Sequence, residues 1–207
     1  RKSTLPKLAA CQETLVNKAY LVEAVVLVGI SAFLYWAGFE VQGWLFSFTE
    51  HIPGVNWFYL PSGLRVLLVM VAGAFGATGI FLATIVIDLM HMPDIRGSMM
   101  LATALASGFG AWVALWLLRR IGVISEGLTG LTTVALLQFA LLFSIFNALF
   151  HQTVWLISNR SGSLFMVDVW PMFVGDLLGA TAFLYGLKLV LSLKRARSSD
   201  DDWDLSR

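Results

Sequence analysis

The chain has 207 residues, of which 58% are hydrophobic and only 13% charged, and its mean hydropathy is +0.79. A soluble domain of this length carries roughly twice that charge, so the sequence reads as an integral membrane protein. A formal net charge of +1 excludes the one-signed field suited to nucleic acid, and a single cysteine, Cys11, excludes an intrachain disulfide and a thiolate metal cluster.

The N-terminal stretch, residues 1–18, is polar and basic, and the apolar run from Ala19 to Phe39 follows it. That run is long enough to span and lacks a cleavage site, so it reads as a retained anchor rather than a signal peptide. Next comes "FEVQGWLFSFTEHIPGVNWFYL", whose Trp44, Phe46, Phe48, Trp57, Phe58 and Tyr59 suit an interfacial aromatic belt or the walls of a ligand lid. Pro61 to His91 is too long for one crossing. Its middle, "GAFGATG", places three glycines where a helix is weakest, which predicts a tight turn between two short helices, Pro61–Phe75 and Gly76–His91. Further apolar runs cover Ser98 to Leu118, Leu131 to Ile157 and Trp170 to Leu193.

The expected fold is therefore all-α and polytopic, with about six transmembrane helices of which the second and third are short and Gly-broken; the alternative of five crossings puts the two basic termini on opposite sides. Six crossings place Arg1, Lys2, Lys7, Lys18, Arg119, Arg120, Lys194, Arg195 and Arg197 on one side, and the positive-inside rule makes that side cytoplasmic, together with both termini. Arg96 and Arg160 are modest exceptions. In domain terms, residues 1–18 form a cytoplasmic segment, 19–193 one transmembrane domain, and 194–207 a charged cytoplasmic tail too polar to pack.

Arg65 poses the central problem, because a charge inside the bilayer needs a partner, a wet cavity or a route to the interface. At 1.5 Å per residue from the outer edges of their helices, Arg65 lies about 6 Å deep, Asp176 about 8 Å, Asp88 about 5 Å, His151 about 9 Å and Asn147 about 15 Å. Asp176 is the natural counter-ion for Arg65, in a bidentate pair. Helical spacing aligns Ser144 and Asn147 with His151, Thr84 with Asp88 and His91, and Thr103 with Ser107. Such stripes describe either a polar cavity open to the outside, lined by Arg65, Asp176, His151, Asn147 and Asp88, or buried helix contacts. Gly175 and Gly179 would let helices approach closely, and Arg65 has a stem long enough to snorkel.

Two stretches carry a resemblance. "WFYLPSGLRVLLVMVAGAFGATGIFLATI" resembles a segment of the bacterial membrane-associated sensor domains of the first-described MASE class, and "VDVWPMFVGDLLGATAFLYGLKLV" is similar to that family's closing segment. The resemblance covers residues 55 to 193, with Pro61, Gly63, Gly175, Asp176 and Gly179 on the motif positions. It implies a polytopic sensory module of the bacterial inner membrane. Arg65 stands outside the family pattern, and the family's membrane region tends to be longer. No kinase, phosphoacceptor or cyclase domain follows the last basic cluster, so output is expected to pass through a separate protein partner.

The leading expectation is thus a non-catalytic ligand-binding module with an outward-facing pocket for a small anionic ligand, embedded in lipid and signalling through a membrane or cytoplasmic partner. One alternative is an accessory structural subunit, for which faces bearing Gly73, Gly76, Gly108 and Gly110 would be contact surfaces and the acidic tail a docking site. Another is a substrate-binding membrane component of a transporter, by analogy of size and helix number with vitamin uptake systems. Metal or haem binding by His51, His91 and His151 lacks the helical i, i+4 spacing of paired ligands, so no cofactor is expected. Neither is catalysis, since no nucleophile beside a base, phosphate loop or metalloprotease motif stands in the sequence.

Overall fold

A computed structural model describes residues 5–92, 97–125, 131–160 and 162–204, with side chains between 18 and 189. Arg1, Lys2 and Arg96 lie outside the described residues, as do the side chains of Lys7, Cys11, Lys194, Arg195, Arg197 and the acidic tail. The order is α1 (Leu5–Phe46), a 3-10 turn (Ser47–Thr49), a small hairpin of β1 (Glu50–Ile52) and β2 (Val55–Asn56), then α2 (Pro61–His91), α3 (Gly97–Arg120), α4 (Thr133–Ile157) and α5 (Phe165–Asp204). Five helices are long and apolar enough to cross a membrane, and the chain is a multi-pass, all-helical membrane protein. Large apolar side chains such as Val71, Leu89, Trp116, Leu137 and Leu178 face outward, as they do where lipid is the solvent.

The sequence predicts two short helices over 61–91; the structure has one element broken at Gly73, whose φ of 56° and ψ of −128° suit glycine alone. At that break the chain turns back. Gly76 packs on the backbone of Leu68, and both ends of α2 sit beside the same turns of α1. At its start, Leu60 N–H donates to Gln42 Oε1 at 2.9 Å; at its end, His91 Nε2 lies 3.7 Å from Glu40 Oε1 and its ring 5.1 Å from that of Phe39. A straight helix would hold residues 61 and 91 about 45 Å apart.

The helix starts follow from local chemistry. Pro61 opens α2, where a missing N–H costs nothing. Thr132 caps α4 by accepting from Ala135 N–H at 3.1 Å. Asp168, in the first turn of α5, accepts from Leu164 N–H at 2.6 Å and complements the helix dipole. At the other end, α5 stays helical through Asp204, beyond the expected boundary at 193; extending an existing helix needs no new nucleus, which lets a polar tail continue it.

One end of the bundle is apolar and close-packed. Phe139, Phe143, Val69, Ile80, Leu115 and Leu118 are buried there, Gly79 sits against the α1 backbone at Val28, and Gly108 against Ala77 and Phe81. Gly76 and Gly108, expected as surfaces for a partner, are thus consumed by the chain's own packing. Lys18, Arg119, Arg120 and Lys188 lie toward this end, where Tyr20 meets Phe75 at 5.9 Å and Lys188 Nζ donates to Thr133 at 2.9 Å. At the opposite end the α1–α2 and α4–α5 connections meet. His51 Nε2 is 3.2 Å from Asp168 Oδ1, Arg160 Nη2 donates to Pro53 O at 2.6 Å, and Tyr59 N–H donates to Gly175 O at 3.0 Å.

Candidate functional site

Beneath those connections the five sequence-predicted site residues converge. Arg65, Asp88 and His151 line a cavity of about 70 Å³ with Tyr35, Tyr59, Thr84, Thr103, Ser107 and Trp155. Asn147 and Asp176 line an adjoining lobe of about 40 Å³, which shares Gly54, Tyr59, Arg65 and His151 with the first. The fold-back of α2 is what brings Arg65, from its first half, and Asp88, from its second, to one cavity.

Arg65 is only 5% exposed, so it does not snorkel. Its Nε donates to the Tyr35 hydroxyl at 2.8 Å, Nη2 donates to the same oxygen, and Nη1 donates to Asn147 Oδ1 at 2.8 Å. The guanidinium also lies 5.1 Å from the Tyr35 ring centre and 5.4 Å from that of Tyr59, a cation between two aromatic faces. The expected bidentate pair with Asp176 is not formed. Asn147 stands between the two, passing its Nδ2 hydrogen bond to Asp176 Oδ2 at 2.6 Å. An amide accepts from the cation and donates to the anion, so each charge is held by a strong hydrogen bond without direct contact.

Asp88 accepts from Thr103 Oγ1 at 2.9 Å, and no basic group stands within ion-pair distance of it among the described residues. His151 Nε2 shares a hydrogen bond with Ser107 Oγ at 3.1 Å. This sets a hydroxyl beside an imidazole, which linear spacing did not reveal, but no described carboxylate hydrogen-bonds the ring as a triad requires. Ser144 is spent on the carbonyl of Ala140 at 2.7 Å and belongs to packing. His91 faces Glu40 and His51 faces Asp168, so the three histidines do not form a group; no metal-ligating cluster is present among the described residues.

The motif glycines have a different task from the expected helix contacts. A Cβ at Gly175 would fall on the carbonyl of Asn56, and one at Gly179 on that of Tyr59. The groove in α5 therefore seats the irregular segment 56–60, which carries Tyr59 into the cavity wall; Ser62 Oγ ties the same place to Asp176 O at 2.7 Å. Pro61 and Gly63 are buried beside it, Gly63 against the Phe183 ring. Burial pushes the Tyr59 phenol well up, helped by Tyr35 and opposed by Arg65, so Tyr59 keeps its proton. Of the aromatics in residues 44–59, Trp44 and Phe48 are exposed, while Tyr59 lines the cavity.

The hairpin roofs the cavity. Gly54, at φ +85°, approaches Met92 and Trp155 closely enough that a Cβ would meet them at 3.1 and 3.6 Å. Arg160 lies 3.8 Å over the Trp155 ring; burial lowers its pKa, opposed by Asp88 and Asp168. Sequence reasoning missed Tyr35, which lies in a run read only as an anchor. The available signal was the buried polar series Ser31, Tyr35 and Gln42 on an otherwise lipid-facing helix. Comparison with protein-family models, with curated proteins and with solved structures gave no match.

Proposed function

We propose that this chain is a non-catalytic, ligand-binding sensory module of a bacterial inner membrane, taking a small ligand with an anionic group into the cavity around Arg65. The observation that carries the reading is Arg65 itself: a buried cation in a cavity wall, held only by neutral hydrogen-bond partners. A guanidinium so placed is pre-organised for a carboxylate or phosphate, and a polar cavity inside a membrane domain is otherwise costly.

In this proposal α2 crosses twice, making six crossings with both termini cytoplasmic. Support comes from the two ends of α2 meeting the same turns of α1, and from Lys18, Arg119, Arg120 and Lys188 lying away from the cavity. The resemblance of the segments around Pro61 and Gly175 to membrane-associated sensor domains agrees with this reading. A ligand anion at Arg65 competes with Asn147, the amide that also holds Asp176 on α5. That competition gives occupied and empty states different contacts on a helix that runs on to Asp204, toward a cytoplasmic protein partner.

Native mass spectrometry of protein gently extracted from its own membrane tests the reading. A stoichiometric small acid that is absent from the Arg65→Gln protein is expected. A bare chain that also shows no stabilisation across a panel of small carboxylates and phosphates overturns it.

A further inference from the structure

Resting on the reading of the cavity as a ligand site, we infer that its ligand is a small zwitterion, with a carboxylate at Arg65 and an ammonium group at Asp88. The inference comes from the hydrogen-bonding capacity left over in the walls. A guanidinium has five N–H groups. Those of Arg65 that are engaged go to the Tyr35 hydroxyl, from Nε and Nη2, and to Asn147, from Nη1. One N–H on each terminal nitrogen therefore has no acceptor among the described residues, and both belong to a residue that lines both lobes.

Asp88 shows the complementary vacancy. Thr103 donates to its Oδ2, while no described donor reaches Oδ1, and the residue is only 7% exposed. A buried carboxylate with one hydroxyl partner is poorly compensated. Asp176 likewise accepts a single side-chain hydrogen bond, from Asn147 at Oδ2, but it lines the smaller lobe, so Asp88 is the carboxylate of the larger one.

The charges around the cavity then decide between ligand classes. An anion alone would meet Arg65 but would also face Asp88 and Asp176. A cation alone would meet Asp88 but would face Arg65. A molecule with both groups satisfies the spare N–H groups and the spare carboxylate oxygen together, with Thr84 and Ser107 hydroxyls in the same wall. Phe39, Ile87, Met92 and Trp155 supply an apolar side for a short carbon chain between the two ends. Room is limited: lobes of about 70 and 40 Å³ are together smaller than the roughly 150 Å³ that accommodates benzene. A short amino acid of the size of glycine or β-alanine fits that space.

The test is calorimetric titration of the full chain in lipid nanodiscs with glycine and β-alanine, and with propionate and ethylamine, which keep one charged end of β-alanine each. At least one zwitterion is expected to bind about tenfold or more tighter than either half-molecule, because removing one charge leaves its buried partner unmatched. In Asp88→Asn, which keeps an acceptor for Thr103, that advantage should vanish and propionate should bind as well as the zwitterion. Propionate equal to the zwitterions in the unaltered protein would make this an anion site, and ethylamine equal to them a cation site; either result overturns the inference. If no probe binds but a small acid co-purifies, the zwitterion fails and the ligand-binding reading stands. If no probe binds and nothing co-purifies, both fail.

Discussion

The two ends of this bundle are made from the same helices and held together in opposite ways. Around Phe139 and Phe143, at the end bearing Lys18 and Arg119, small residues let backbones approach and aromatic side chains fill what is left. Around Arg65, polar side chains from α1 through α5 are linked by hydrogen bonds, and space remains. The physics of lipid explains the contrast. Apolar side chains gain little by leaving lipid for protein, so the first end depends on close packing. Polar groups find no partner in lipid at all, so at the second end they must find one another. The first end is a solid that positions helices, and the second a constrained polar space that can change its partners.

The sharpest way to break the second end is to unseat the segment that crosses it. Gly179→Leu drives a side chain into the Tyr59 carbonyl, a backbone atom with little freedom to move. We expect a loss of more than about 4 kcal/mol, enough to abolish folded protein; a monodisperse, ligand-competent Gly179→Leu protein would show that the groove is not needed. At the first end, Phe143→Ala empties a fully buried site and should cost about 3–5 kcal/mol by the measure of soluble cores. Unlike the glycine change, it should leave ligand affinity intact in whatever protein folds. Equal damage to affinity would mean that the two ends are coupled rather than divided.

Tyr35→Phe sharpens the comparison further, because it removes one oxygen and no volume. That oxygen accepts from two nitrogens of Arg65, so its loss leaves a buried cation with Asn147 as its one hydrogen-bond acceptor among the described residues, at a cost of about 1.5–3 kcal/mol in the empty protein. An anionic ligand would supply the missing acceptor. Ligand should therefore stabilise Tyr35→Phe more than the unaltered protein, as read by the shift in melting temperature on saturation. An equal shift in both would place the ligand away from Arg65.

Depth along helices was enough to group Arg65, Asp88, Asn147, His151 and Asp176, because a membrane fixes the axial coordinate that a soluble fold leaves free. The glycine-rich stretch at 73–79 likewise announced the reversal in α2, whose two helical halves meet at the non-helical Gly73. Azimuth was not legible. Which side chain stands between two others depends on helix rotation, and so the Arg65–Asp176 pair was expected to be direct where Asn147 intervenes. Tyr35 was missed for a related reason: one hydroxyl in an apolar run says nothing until the facing residue is known. The Gly175–Gly179 pair was legible as a groove but not by occupant, since the irregular segment 56–60 and a helix leave the same small-residue mark.

The smallest expected effect concerns the roof. His51 joins the hairpin to Asp168 at 3.2 Å, yet it is 30% exposed, and Asp168 keeps two other donors, Ser163 at 3.1 Å and the Leu164 N–H at 2.6 Å. Removing His51 therefore leaves the α5 start capped and the carboxylate satisfied, and a partly exposed pair of this kind contributes less than about 1 kcal/mol. The second tie, from Arg160 to Pro53 O, also stays. His51→Ala should shift the melting temperature little, while hydrogen exchange at 50–56 quickens and bound ligand leaves faster. The contrast with Phe143→Ala is then complete: one substitution removes stability without touching exchange of ligand, and the other releases ligand with almost no loss of stability. If His51→Ala leaves the dissociation rate unchanged, ligand enters and departs elsewhere than beneath the hairpin, and the close approach of Gly54 to Trp155 is structural packing alone.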